Sequence, residues 1–152
     1  MEEITIRAAL NADLETLREF EQGVIEAERP FDPTLNTGRI SYYDIEKMIS
    51  ADDVMLMVAE HEGQLIASGY ARIEASKPFL KHNRHAYLGF MYVHPGFRGR
   101  GINRRIIEAL KHWSIKNGIS EWRLDVYVEN EQAIRAYEKI GFKKHMIEMA
   151  MR

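Results

Sequence analysis

The chain has 152 residues, 45% of them hydrophobic and 29% charged, with a formal net charge of -2. That length buries one sizeable core, the composition is that of a water-soluble globular protein, and the near-neutral balance excludes the broad basic surface that non-specific nucleic-acid binding needs. The absence of cysteine excludes disulfides, thiolate catalysis and any Cys-ligated metal together.

The chain opens MEEITIR, acidic and strand-like, where an export signal would be basic and then apolar. No uncharged apolar run has the length of a membrane span. A cytoplasmic protein without membrane or nucleic-acid partners is expected. No repeat or composition break divides the chain, so one domain over residues 1–152 is expected.

Residues 4–7 read as a first strand. Asn11 can cap a helix whose apolar positions, Leu14, Leu17, Phe20 and Val24, recur at helical spacing. The stretch ERPFDPTLNTG carries two prolines and a glycine and reads as loop, and a short helix is expected over residues 42–49. Residues 54–59 and 65–73 are strands around EHEGQ, a hairpin turn. The polar connection EASKPFLKHNR leads to a strand at 87–93 and then a helix at 101–117, with Ile102, Ile106, Leu110 and Trp113 on one face. Asn117-Gly118 stops that helix. A strand at 122–128, a helix at 130–140 closed by Gly141, and a last strand from Phe142 complete the order. The alternation predicts an α/β or α+β sheet with helices against it. The unit from 87 to 128 predicts parallel strands joined by a right-handed crossover.

The segment VHPGFRGRGIN, between a strand and a helix, carries the main functional signal. Gly96, Gly99 and Gly101 permit a tight turn and close approach of backbone to a ligand. The turn opens a helix, where free N–H groups and the positive dipole end point at one spot. Arg98, Arg100, Arg104 and Arg105 add four cations within eight residues. The combination suits a phosphate or pyrophosphate, although a Gly-rich connection with solvated arginines explains the same residues. A P-loop would need Lys followed by Ser or Thr after the glycines. A dinucleotide fingerprint starting at Gly99 finds Arg104 where its third glycine belongs, although Asp125 sits near where a ribose-binding acid would lie. The pattern [QR]xxGx[GA] is met from Arg98 to Ile102, with Asn103 at its sixth position.

Here the chain resembles the GNAT superfamily of acetyl-CoA-dependent N-acetyltransferases, through YVHPGFRGRGINRRII and NEQAIRAYEKIGF, separated by one helix and one strand. The resemblance implies a mixed, mostly antiparallel sheet of about six or seven strands with about four helices on both faces. It also implies that acetyl-CoA is the cosubstrate and that the backbone from Arg98 through Gly99, Arg100, Gly101, Ile102 and Asn103 holds the pyrophosphate. Asn103 departs from the family's small residue, and its amide can donate to the same group. The strand at Met91, Tyr92 and Val93 corresponds to the family's splayed strand, which pairs with the pantetheine arm. Asn130 corresponds to an asparagine that bonds the cofactor, and it is also a good helix cap.

Acetyl transfer to an amine needs a neutral nucleophile, donors for the oxyanion and an acid for the leaving thiolate. A backbone N–H around Tyr92 would serve the oxyanion. The resemblance makes Tyr137 the acid, near the thioester sulfur. By spacing alone, Ala133, Tyr137 and Ile140 form a core stripe. On residues 122–128 the alternation puts Arg123, Asp125 and Tyr127 on one face. A peptide-acetylating subgroup carries a carboxylate base twelve residues before the tyrosine, where Asp125 stands. Pairing of Asp125 with a nearby arginine is the plain alternative, and Glu74 is a second candidate base. His82 and His85 have metal-ligand spacing but no third ligand in view, so no metal is expected. Glu15, Glu19, Glu21, Glu26 and Glu28 solvate a helix face. Glu28 and Asp32 enter the loop that covers the acceptor cleft in the family, where they would attract a cationic amine.

The resemblance thus implies an N-acetyltransferase acting on a primary amine, of a small molecule or peptide, by direct attack in a ternary complex. A non-catalytic acyl-CoA-binding module and a dinucleotide-binding domain remain as alternatives. The acceptor is not legible, and a homodimer is compatible with the sequence.

Overall fold

Alternating apolar residues assemble a sheet that positions everything else. In the computed structural model, which describes residues 3–152, the sheet has five strands. These are β1 (Thr5–Ala8), β2 (Val54–His61), β3 (Gln64–Ala75), β4 (Arg84–Val93) and β5 (Trp122–Arg123), in spatial order 1-2-3-4-5. The first four pair antiparallel and β5 joins β4 in parallel, as the crossover connection requires. Glu62 and Gly63, with φ of 49° and 77°, make the two-residue hairpin turn between β2 and β3.

Four α-helices cover both faces: α1 (Leu14–Glu28), α2 (Ile45–Ser50), α3 (Ile102–Lys116) and α4 (Glu131–Ile140). Ile102, Ile106, Ile107 and Leu110 of α3 pack with Ile66, Ala71, Ala86 and Leu88, and Tyr137 and Ile140 of α4 join this cluster. Leu17 and Phe20 of α1, with Ile45 of α2, cover the other face over Leu56, Val58, Tyr70 and Phe90. Each fully buried aliphatic side chain contributes about 1.5–3 kcal/mol, so these two clusters hold the layers together.

The sheet is smaller than the resemblance implies. Of the strand expected at 122–128, only Trp122 and Arg123 enter the ladder. The last strand, expected from Phe142, does not form: residues 142–152 carry no regular structure. Met146, Ile147, Met149 and Met151 are exposed there. With β5 ending at Arg123, the segment finds no strand edge long enough to complete a ladder. Asn11 is not the helix cap either. It starts a 3-10 turn, Asn11–Asp13, and Asp13 accepts from the Leu10 N–H at 2.8 Å and from both guanidinium nitrogens of Arg7 at 2.8 and 3.0 Å. The fork of Arg7 fixes that carboxylate better than a single side-chain cap fixes Asn11.

One irregularity sets up the site. Between Ser68 and Tyr70 of β3, β4 advances from Tyr92 to Gly89, so it carries one extra residue. Phe90 lies in this bulge with φ of 56°, and the buried Ser68 hydroxyl donates to its carbonyl at 3.0 Å. The bulge reverses the alternation. Ala86 and Leu88 face α3, Phe90 and Tyr92 then face α1, and Met91 and Val93 return to the α3 side. A bulge also bends its strand and sharpens the twist.

Candidate functional site

The bulge places a free edge beside a turn. β5 pairs with β4 only at Ala86 and Tyr87, so Leu88 to Val93 has no strand on that side among the described residues. Backbone groups of Met91, Tyr92 and Val93 that point to this edge can take a third, extended partner, apart from the Val93 carbonyl, which Arg98 occupies. Tyr92 is anchored from behind by Phe20, whose ring stacks on it at 4.5 Å.

The chain leaves β4 through a 3-10 turn, Pro95–Phe97, and enters α3 through Gly99 and Gly101. These two glycines have φ of 79° and 75°, the left-handed conformation that side chains resist. Gly101 is the N-cap of α3 and supplies no side-chain capping bond, so the first turn presents its N–H groups outward. Ile102 anchors the helix start in the core. The side-chain oxygen of Asn103 is buried without a hydrogen-bond partner. An unsatisfied amide at a helix N-terminus is the kind of group a polar ligand or water completes.

The arginines do not act as one cluster. Arg98 donates to the Val93 carbonyl at 3.1 Å, which braces the turn across its own base. Arg100 lies over the Phe97 ring at 5.1 Å. Arg104 donates to the carbonyl of Lys139 at 2.8 Å and Arg105 to that of Ile4 at 2.9 Å. Arg104 therefore ties α4 to α3, and Arg105 ties the start of the chain to α3.

The Asn130 side chain caps α4 by accepting from the Ala133 N–H at 3.3 Å, and Tyr137 of that helix packs in the same cluster as Met91 and Val93. Tyr137 lies one face further on, half-buried, with its ring edge-on to Phe142 at 5.9 Å. Loss of solvation, assisted by the Glu28 carboxylate, pushes its phenol up to about 12. It is therefore a neutral O–H donor at physiological pH.

Asp125 is exposed and accepts from the Tyr87 hydroxyl at 3.0 Å. The arginine nearest in sequence, Arg123, bonds to Glu121 at 3.0 Å. Glu74 is engaged by Arg72 at 2.5 Å, and that guanidinium stands over the rings of Tyr70 and Tyr87. The carboxylate that acts electrostatically on Tyr137 is Glu28, the last residue of α1. Burial raises the Glu28 carboxyl above its ordinary range, and the buried Tyr42 hydroxyl beside it forms no hydrogen bond of good geometry. Nearby, Tyr127 donates to Asp32 at 2.6 Å, and Thr34 donates to the same carboxylate. These bonds hold Asp32 down to about 2.

Sequence reasoning missed Glu21. It is not a solvated helix residue but 3% exposed, and it accepts from the backbone N–H groups of Tyr42 and Tyr43, both at 2.7 Å. No pattern in the sequence singles it out, because its partners lie in a loop 21 and 22 residues away. His82 and His85 both face the Ser76 hydroxyl, at 2.7 and 2.9 Å, and no group that could hold a metal ion occurs among the described residues. No described helix is long and apolar enough to cross a membrane.

A model of the acetyltransferase (GNAT) family matches residues 17–142. An acetyltransferase of Pectobacterium atrosepticum is 32% identical over 100 residues, which are 66% of this chain and 65% of that protein. The match thus spans just under two thirds of that relative's length. Among solved structures, a mutant form of a Bacillus halodurans protein superposes with a TM-score of 0.85 at 19% identity, covering 97% of this chain and 99% of that one. An aminoglycoside N-acetyltransferase in complex with CoA gives 0.77 at 21% identity, covering 100% of this chain and 95% of that one. These two likenesses show the shared fold.

Proposed function

The chain belongs to the GNAT acetyltransferase family, and on that premise we propose that it moves an acetyl group from acetyl-CoA to a primary amine by direct attack in a ternary complex. The observation that carries this is the pairing of a free β4 edge with an uncapped α3 N-terminus, with Tyr137 packed in the same cluster as Met91 and Val93. The residues suit the cosubstrate. A pantetheine arm is an extended diamide that can hydrogen-bond like a strand along Met91, Tyr92 and Val93. A pyrophosphate suits the N–H groups from Arg98 to Asn103 and the helix dipole behind them. The bare cradle at Gly99 and Gly101, where an added Cβ would meet nothing within 4 Å, leaves room for that group. Asn130, already the cap of α4, also contacts the cosubstrate in this proposal.

The chemistry follows from the groups at the cleft. The amine attacks the thioester carbonyl, and the oxyanion is received by a backbone N–H at the bulge, near Tyr92. Collapse breaks the C–S bond. Tyr137 donates a hydrogen bond to the departing sulfur and then its proton, which it recovers from the acetylated nitrogen. A phenol at about 12 is a weaker acid than a thiol of about 8.5, so full transfer occurs late and the hydrogen bond does most of the stabilising. Asp125, the sequence candidate for the base, is exposed and held by Tyr87, and would reach the amine through a water.

Tyr137→Phe tests the proposal. Coenzyme A should bind the variant as it binds the wild type by calorimetry, while acetyl transfer falls. An acyl-CoA-binding module would show binding and no transfer in either protein. A dinucleotide-binding domain would bind NAD(P) and not coenzyme A.

A further inference from the structure

Four polar or charged side chains are buried among the described residues: Asp13, Glu21, Ser68 and Ser114. Asp13 takes the fork of Arg7, Glu21 holds the loop at Tyr42 and Tyr43, and Ser114 closes on the Leu110 carbonyl one turn back in α3. Ser68 is different. Its hydroxyl donates at 3.0 Å to the Phe90 carbonyl, inside the β4 bulge and 22 residues away. Burying a hydroxyl costs free energy unless it is hydrogen-bonded, so Ser68 is tolerated here through that one carbonyl. Neither Phe90 nor Met91 has a partner in the β3–β4 register, whereas Ser68–Tyr92 on one side and Tyr70–Gly89 on the other are paired. Phe90 keeps a φ of 56°, which a bulky side chain resists. Tyr43 packs on its ring at 4.8 Å. Gly69, opposite the bulge, leaves space that Met91 fills, and a Cβ there would stand 2.6 Å from the Met91 sulfur.

The Phe90 carbonyl and the Met91 N–H belong to one planar trans peptide, so they point in opposite directions. The carbonyl is drawn toward Ser68 on β3. The Met91 N–H is therefore directed away from β3, toward the side of β4 that no strand covers from Leu88 to Val93 among the described residues. A hydrogen bond to the carbonyl also polarises the peptide and strengthens its N–H as a donor. We propose that Ser68 is a positioning residue for acetyl transfer: its hydroxyl holds the Phe90 carbonyl, and through that peptide aims the Met91 N–H at the thioester oxygen on which negative charge develops. This rests on the acetyl-transfer function proposed above. Ser68 touches no substrate and gives up no proton. The C–N bond forms and the C–S bond breaks as in that reaction, while the aimed N–H receives the oxyanion. Without the hydroxyl, the ladder on either side keeps the strands paired, and the peptide between Phe90 and Met91 is free to rotate. The loss should thus fall on the chemical step and not on cosubstrate binding, which uses the N–H groups from Arg98 to Asn103.

The test compares wild type, Ser68→Ala and Ser68→Thr as full chains, with acetyl-CoA and with n-butylamine, spermidine or alanyl-alanine amide as acceptor. Losing an oxyanion donor outright lowers kcat by about 10²–10³, and a donor that is present but unaimed loses less, so kcat of Ser68→Ala should fall by about 10–100-fold. Coenzyme A affinity by calorimetry should stay within about twofold of wild type. Ser68→Thr keeps the hydroxyl and should recover most of the rate. Isotope-edited infrared spectra of bound acetyl-CoA, labelled at its carbonyl carbon, read the aim of the donor directly. The thioester carbonyl band should lie at lower wavenumber in wild type than in Ser68→Ala, a comparison that stands whether or not the threonine methyl fits. A Ser68→Ala kcat within about threefold of wild type, a carbonyl band at the same position in both proteins, or a coenzyme A affinity that falls as far as kcat would overturn the assignment. So would a folded Ser68→Thr as slow as Ser68→Ala. A wild-type protein that binds coenzyme A but acetylates none of these or any other amine would overturn the acetyl-transfer function itself, a failure distinct from that of Ser68.

Discussion

Removal of the Glu21 carboxylate should loosen the loop at Ser41, Tyr42 and Tyr43. Its Oε2 accepts two backbone N–H bonds at 2.7 Å, from Tyr42 and Tyr43, and the Ser41 hydroxyl donates at 3.2 Å. Hydrogen bonds to a charged group contribute about 1.5–3 kcal/mol each, and truncation also strands buried donors. The sum overstates the loss, because water can enter where the side chain was, so about 3–5 kcal/mol is expected for Glu21→Ala. At roughly 2–4 °C per kcal/mol for a protein of this size, the melting temperature should fall by about 6–20 °C. Glu21→Gln keeps an oxygen for the two amides and turns its NH2 toward Ser41, so its cost should be only about 1–2 kcal/mol. Thermal unfolding followed by circular dichroism, with urea titrations to check that the m-value is unchanged, measures both. A Glu21→Ala protein within about 2 °C of wild type would refute the reasoning, as would a Gln variant as damaged as the Ala variant.

Other expectations follow from single contacts. Gly101→Val forces a branched residue to a φ of 75°. It should cost about 1–2 kcal/mol and weaken coenzyme A binding by calorimetry, whereas unchanged affinity would remove the turn from the site. A Cβ on Gly23 would stand 2.6 Å from Cε1 of Tyr92. Gly23→Ala should therefore destabilise by about 1–3 kcal/mol and lower kcat through the displaced strand, with the melting temperature and initial rates as readouts. Arg7 holds the Asp13 carboxyl below its ordinary value. The unfolded chain, at about 3.9, therefore takes up a proton before the folded one does. The stabilisation is complete above about pH 4 and is lost as pH falls through the folded value. Asp13→Asn should lower stability at neutral pH and flatten that acid limb in urea titrations from neutral to acid pH.

Much of the architecture was legible because it rests on local pattern. The apolar positions of α1 and α3 recur at helical spacing, Gly118 and Gly141 adopt the positive φ that stops α3 and α4, and Glu62-Gly63 makes the hairpin. The bulge was not legible. It comes from one extra residue in β4 relative to β3, and strict alternation puts Tyr92 on the wrong face. The strand expected from Phe142 failed for a non-local reason too: Ile147, Met149 and Met151 alternate as in a strand, but pairing needs an edge that β5 does not extend far enough to offer. The family resemblance, not spacing alone, picked out Asp125 and Tyr137; by spacing Tyr137 belongs to a core stripe. The engagement of Asp125 by Tyr87 spans 38 residues and the clamp of Asp32 by Tyr127 spans 95, so neither leaves a trace in local sequence. Glu21 lies on one helix with other acids, and only tertiary packing marks it as the anchor of the loop at Tyr42 and Tyr43.

The most direct measurement is release of coenzyme A thiol from acetyl-CoA, followed with a thiol reagent across a panel of amines and peptides. The chain contains no cysteine, so it contributes no background of its own. The expected result is release that requires a primary amine, saturates with both substrates, and drops by roughly 100-fold or more in Tyr137→Phe. Release that proceeds equally without any amine, or no release together with no stabilisation by coenzyme A, would contradict the assignment of this cleft to acetyl transfer.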